Sequence, residues 1–293
     1  MKIIEKENNK LGIELVALTA DQPFKYYDKK TNSHKVATYI NDTPFWNKPH
    51  VCVVSGAKGS GKTTAILSLI SSKKYKIYEG VFDTIIVCCP EQTLKSLVKS
   101  PFEDLPEDQI FYNFNEEFMN YCYETVEANS LEGKDTYIFL DDCGEKLRSN
   151  KQMIEALSGL VIKNRHFKLT IHILIQEIMM IAPTIRANCD GIIKFKPINA
   201  KREKIFHEEY FSELTYSEFL KLNDYIYKKK GDFLLIKFNI PRQFFKNMNE
   251  IFLSDLDNTS NGDIGKNSKK EDNEQKSKIE KKEIEAKTSK INK

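Results

Sequence analysis

An α/β fold, with helices covering both faces of a mostly parallel central sheet, follows from three observations on this 293-residue chain. Short apolar runs recur along it, helical patterns fall between them, and one glycine-rich segment joins the first run to a helix. The runs are HVCVVSG (50–56), FDTIIVCCP (82–90), DTYIFLDDC (135–143), LTIHILIQE (169–177) and CDGIIKFK (189–196). Each is rich in Val, Ile or Phe and too short for an ordinary helix, as strands buried on both faces are. Between them KTTAILSLISSK, QTLKSLVKS, EEFMNYCYETVEANS and KQMIEALSGLVIKN carry helical patterns. Such alternation implies right-handed crossovers, hence parallel pairing and a three-layer sandwich.

This domain is expected over residues 48–253. Residues 1–47, with the pieces KLGIELVAL and KVATYINDTPFW, read as an N-terminal extension with short strands and no motif. After Pro197 the segment KREKIFHEEYFSELTYSEFLKLNDYIYKKK reads as one or two amphipathic helices, and GDFLLIKFNI as a strand, together an appendage of the same domain. From residue 254 the composition turns to mixed charge with almost nothing to bury, the pattern of a disordered tail. Over 255–293 ten lysines face nine acidic residues, so the tail suits a solvated linker better than a DNA-binding arm.

The whole chain carries 45 Lys and Arg against 42 Asp and Glu, a formal charge of +3, so any surface for nucleic acid has to be local. Six cysteines lack CxxC spacing, and five lie in or beside apolar runs, which marks small buried hydrophobes in a reducing compartment. His166 and His172 show no metal-ligand spacing, and nothing suggests zinc. The N-terminus has no apolar core of a signal peptide, and no run approaches the ~20 residues that cross a bilayer. An intracellular protein without a membrane span is expected.

The chemistry concentrates in GAKGSGKT, which matches the phosphate-loop pattern G-x-x-x-x-G-K-[ST] between a strand and a helix. Gly56, Gly59 and Gly61 permit turns and close approaches that let the backbone of Gly56, Ala57, Lys58, Gly59, Ser60 and Gly61 surround a phosphate. Lys62 supplies an ammonium for the β- and γ-phosphates, Thr63 a hydroxyl for Mg²⁺, and Thr64 continues the helix whose N-terminus favours anions. ATP and Mg²⁺ are therefore the expected ligands. Asp141 and Asp142 end the strand YIFLDD, at the edge where open α/β sheets place their ligands. Asp141 is the candidate for the Mg²⁺ shell, and Asp142 for orienting or deprotonating the attacking water. Gln176 ends a further strand and is placed to contact the γ-phosphate or that water. Arg165 and Arg186 flank this strand, and either is a candidate for a cation supplied to a neighbouring subunit.

The order GAKGSGKT, FLDDC, NRHFKLTIHILIQ, APTIRANCDGIIKF resembles the FtsK/HerA superfamily of P-loop ATPases, within it the poxvirus-type genome-packaging ATPases of large eukaryotic DNA viruses and virophages. The resemblance covers about residues 48–197. It implies an additional strand between those bearing the phosphate loop and the carboxylates, a ring of five or six subunits, and ATP-driven movement of double-stranded DNA into a capsid. It also implies contact with capsid or portal-vertex proteins, work in the host cytoplasm or viral factory with possible retention in the virion, Arg165 as the better trans-acting arginine, and Gln176 as a sensor. Asp142 stands where cellular translocases carry Glu, which favours the packaging branch. A HerA-like helicase or translocase and a non-hydrolysing, nucleotide-switched assembly protein are the alternatives. The KNR and KREK segments are candidates for DNA phosphates.

Overall fold

The computed structural model describes residues 23–28, 30–37, 43–71, 77–97, 100–197 and 199–253. One compact unit ends at Ile251; a second begins at Phe252, and only Phe252 and Leu253 of it are described. The tail expected from residue 254, and the piece KLGIELVAL, lie outside the described residues.

In chain order the strands are β1 (Lys25–Asp28), β2 (Ser33–Val36), β3 (Val51–Ser55), β4 (Thr84–Cys88), β5 (Ile110–Phe111), β6 (Thr136–Asp141), β7 (Leu169–Ile175), β8 (Gly191–Phe195), β9 (Phe233–Lys237), β10 (Gln243–Lys246) and β11 (Asn249–Ile251). The helices are α1 (Lys62–Ser71), α2 (Glu91–Lys95), α3 (Glu116–Leu131), α4 (Gly144–Ser149), α5 (Lys151–Lys163), α6 (Pro183–Ala187), α7 (Ala200–Tyr210) and α8 (Tyr216–Ile226). Among the described residues nine strands form one sheet in the order β11-β10-β9-β8-β3-β7-β6-β4-β5, and β1 with β2 makes a separate antiparallel pair.

The six strands from β8 to β5 are parallel, and β9, β10 and β11 continue the sheet antiparallel. Every residue of β3, β6, β7 and β8 is buried, which is why these segments read as continuous apolar runs. The additional strand is β7, which separates β3 from β6. Helix starts follow local chemistry. Asn115 Oδ1 accepts from the Phe118 amide at 3.0 Å, Asn150 Oδ1 from Met153 at 3.2 Å, and Thr215 with Glu218 forms a reciprocal cap on α8.

The described part of the extension packs into the core. Phe24, Ala37, Phe45 and Trp46 share one apolar cluster with Val54, Tyr137 and Leu174 of the sheet. All six cysteines are free and buried. Among the described residues no helix is long and apolar enough to cross a membrane.

A chain of buried polar groups crosses three elements beside this cluster. The Lys48 carbonyl can only accept, so His50 Nδ1 donates to it at 2.9 Å and His50 Nε2 is left as an acceptor. His172 Nε2 then donates to His50 at 3.1 Å, and Tyr137 donates its hydroxyl proton to His172 Nδ1 at 2.8 Å. The Trp46 ring stacks on His50 with centroids 4.6 Å apart. This arrangement needs both imidazoles neutral. Burial pushes His50 down from 6.5 to about 4, with Asp190 opposing and Lys237 assisting, and pushes His172 down as well.

Because the unfolded chain takes up protons near pH 6.5 that the folded chain refuses, stability is complete above that pH and falls as pH drops toward 4. His50 alone accounts for on the order of 3 kcal/mol. Urea unfolding of wild type and His50→Gln between pH 7.5 and 5 checks this: the wild type's advantage shrinks as pH falls, and a constant gap would refute the assignment.

Candidate functional site

Parallel pairing brings the sequence motifs to one edge of the sheet. Ser55, the last residue of β3, is level with Ile175 of β7, and Asp141 of β6 is level with Leu174. Hydrogen bonds carry the ladder past the strand ends, from Gly56 N to Ile175 O at 3.2 Å and from Asp142 N to Leu174 O at 3.3 Å. Gln176 therefore leaves the sheet between the glycine loop and the second carboxylate.

The loop is tightly seated. A Cβ on Gly56 would lie 2.7 Å from Phe195 Cβ and 2.8 Å from Ser60 Oγ, so only glycine fits beside β8. Gly61 has φ +107°, a conformation that L side chains rarely adopt, just where the chain turns into α1. Ser60 Oγ is buried without a hydrogen-bond partner, and the Lys62 ammonium folds back onto its own loop, donating to the carbonyls of Gly56 at 2.6 Å and Ala57 at 3.1 Å. An unpaired hydroxyl and an ammonium held only by carbonyls are groups that a phosphate would satisfy.

Thr63 Oγ1 donates to Asp141 Oδ2 at 2.9 Å, across 78 residues of sequence. Burial holds the Asp141 carboxyl above the usual carboxylate range, against the Thr63 hydrogen bond and the Lys62 charge. Burial also lowers Lys62, while Asp141 and Asp142 oppose that shift. A buried carboxylate beside a hydroxyl is a hard-oxygen donor set that fits Mg²⁺. Cys89 approaches the same carboxylate, its Sγ 4.0 Å from Asp141 Oδ2.

Asp142 is exposed and has φ +58°, a left-handed conformation that Asp tolerates better than most side chains. The chain thus breaks sharply from β6 and leaves the second carboxylate in solvent beside the strand ends. Gln176 is also exposed, and with Gly56, Ala57, Lys58, Lys194 and Arg202 it lines a cavity of about 400 Å³.

Arg165 and Arg186 do not join this site. Arg165 precedes β7, and its Nη2 donates to Asp190 Oδ1 at 3.0 Å, while Asp190 Oδ2 accepts from the amide of Val51, the first residue of β3. That is the opposite edge of the sheet, ~13 Å along β3 from the loop at about 3.3 Å per residue. Arg186 lies near it, with Nε and Nη2 on Glu209 and Nη1 on the Ile181 carbonyl. Both border a second cleft of about 520 Å³.

Sequence reading overlooked Lys194, a buried lysine in β8 that pairs with Glu203 of α7. Its one signal is a charge inside the apolar run GIIKF.

No family model matches the chain. Uncharacterized protein 015R of Frog virus 3 (isolate Goorha) is 25% identical over 186 residues, 61% of this chain and 52% of that protein, so the chain spans about half the length of the curated relative it matches. The genome packaging NTPase B204 from Sulfolobus turreted icosahedral virus 2, in complex with AMP, matches with a TM-score of 0.51 at 16% identity, over 70% of this chain and 99% of that one. The same NTPase in complex with ATP-gammaS gives 0.50 at 17% identity, over 70% and 100%. B204, the DNA-packaging ATPase from Sulfolobus Turreted Icosahedral Virus, gives 0.50 at 16%, over 69% and 98%. Likeness at such identities is likeness of fold: the chain has the fold of these viral genome-packaging P-loop ATPases, as the resemblance of its motifs implies.

Proposed function

We propose that this protein is an ATP- and Mg²⁺-dependent motor that moves double-stranded DNA, working in the host cytoplasm or viral factory to package a viral genome into a capsid. One observation carries the reading: Thr63 and Asp141 meet at 2.9 Å beside a phosphate loop, with Gln176 and Asp142 leaving the sheet at the same edge. Kinases and GTPases share the loop, whereas a strand inserted between loop and carboxylates and ending in a polar amide fits the translocating ATPases.

In this reading the loop amides and Ser60 hold the phosphates, and Lys62 leaves the Gly56 and Ala57 carbonyls for the β- and γ-oxygens. Thr63 and Asp141 would hold Mg²⁺, which neutralises phosphate charge when bound. Asp142 orients the attacking water and takes up its proton, and Gln176 reports the state of the γ-phosphate. Arg165, remote from its own loop, serves a neighbour's site in a homo-oligomeric ring that also meets capsid or portal-vertex proteins. The fold of packaging NTPases and the viral source of the curated relative support this assignment.

Three measurements test it. Double-stranded DNA should stimulate ATP hydrolysis without sequence preference and less at high salt, and Lys62→Ala should lower turnover about 100-fold; hydrolysis indifferent to DNA counts against a motor. Asp142→Asn should keep ATP binding yet lose turnover by about 100-fold, whereas negligible turnover already in the wild type points to a nucleotide-switched assembly protein. Arg165→Ala subunits mixed with wild type should depress activity more than in proportion, and simple dilution would sink the trans role.

A further inference from the structure

The cavity of about 400 Å³ beside the loop contains an arginine in the same chain. Arg202 stands in the first turn of α7, where Asn199 Oδ1 accepts from the amides of Lys201 at 3.0 Å and Arg202 at 3.3 Å. Its guanidinium pairs with Glu177, the residue after Gln176. The next residue, Glu203, pairs with Lys194 of β8, both side chains less than a tenth exposed, and accepts from Asn223 Nδ2 of α8 at 2.8 Å. Two adjacent residues of α7 are thus tied to two strand ends, Arg202 to the end of β7 and Glu203 to β8. The second tie is buried and firm, and it fixes where the first turn of α7 stands relative to the loop.

The cavity opens on one side of the loop, along Gly56, Ala57 and Lys58. Lys62 marks that side: its ammonium rests on the carbonyls of Gly56 and Ala57, which line the cavity, and a lysine at this position of a phosphate loop serves the β- and γ-phosphates. The side chains of the Arg202–Glu177 pair are 46% and 30% exposed although the Glu177 oxygen in the contact is buried, and an ion pair whose side chains reach solvent holds weakly. A terminal phosphate carries more charge than one carboxylate and presents oxygens that match the guanidinium fork.

We propose that Arg202 is a γ-phosphate ligand supplied in cis, held by Glu177 in the nucleotide-free protein and passed to the phosphate when a triphosphate enters. The exchange releases the residue next to Gln176 and connects the nucleotide site with α7 and α8. This rests on the ATP-binding reading above.

Titration of the full-length protein with ADP and with the slowly hydrolysed analogue ATPγS, alongside single-turnover hydrolysis of ATP, tests the assignment. Arg202→Ala should leave ADP affinity within about two-fold, weaken ATPγS about 10-fold or more, and slow hydrolysis about 10- to 100-fold; Arg202→Lys should restore part of the ATPγS affinity. Glu177→Gln, which removes the competing carboxylate, should strengthen ATPγS relative to ADP. Equal loss of both nucleotides in Arg202→Ala, or no change in their ratio, overturns the proposal. A wild type that binds both nucleotides and does not hydrolyse ATP defeats the motor reading alone, because the ATPγS-to-ADP ratio still decides the role of Arg202.

Discussion

The nucleotide edge depends on the parallel register of β7 between β3 and β6. Ser55 and Ile175 are level, as are Asp141 and Leu174, so three strands end within a residue of one another. A slip of one residue would turn every side chain of the fully buried β7 to the other face and move Gln176 off the edge. The hydrogen bonds from the amides of Gly56 and Asp142 extend the ladder beyond the strands, so loop, carboxylate turn and amide are fixed to one another through backbone alone. The contact between Thr63 and Asp141 is then a consequence of register.

Burial of charge at this edge has a cost that the fold offsets locally. Asp141 is buried and Lys62 half-buried, and burial disfavours the charged form of each. Asp141 is the first compensation for Lys62, whereas for Asp141 the Thr63 hydrogen bond comes first and the Lys62 charge second. Lys194 and Glu203 repeat the pattern deeper in the molecule, where losing either partner would leave a buried unpaired charge worth about 3–5 kcal/mol. At the opposite edge Asp190 does comparable work, one oxygen on the Val51 amide and the other on Arg165, which anchors the foot of the phosphate-loop strand.

Much of this was legible in the residues. The five apolar runs are β3, β4, β6, β7 and β8, because strands buried on both faces need uninterrupted apolar sequence. The motifs at their ends were legible for the same reason, since a loop and a carboxylate ending parallel strands must share an edge. β5 has two residues, and β10 and β11, QFFK and NEI, are short and mixed in polarity, so no period distinguishes them from loops. QTLKSLVKS reads as a helix, yet α2 closes at Lys95. Contacts between distant residues left no pattern at all: His50 and His172 are 122 positions apart, and Arg202 meets Glu177 only because β8 and α7 return the chain to the loop.

The two arginines flanking β7 differ in what their surroundings leave them to do. Arg186 is 12% exposed, with donors on both Glu209 oxygens and a third contact turned to the Ile181 carbonyl, so moving it would abandon a carboxylate and a carbonyl at once. That is the arrangement of a structural brace between the α6 turn and α7. Arg165 is 55% exposed, and its partner Asp190 keeps a backbone amide whether or not the guanidinium stays. It sits beside Ile162, an apolar side chain 56% exposed at the end of α5. An exposed head at the edge away from its own loop fits the role in a second subunit proposed for Arg165. Arg202 occupies the complementary place within the chain: in the proposed ring, a triphosphate in this loop would face one arginine from its own α7 and one from the neighbouring subunit.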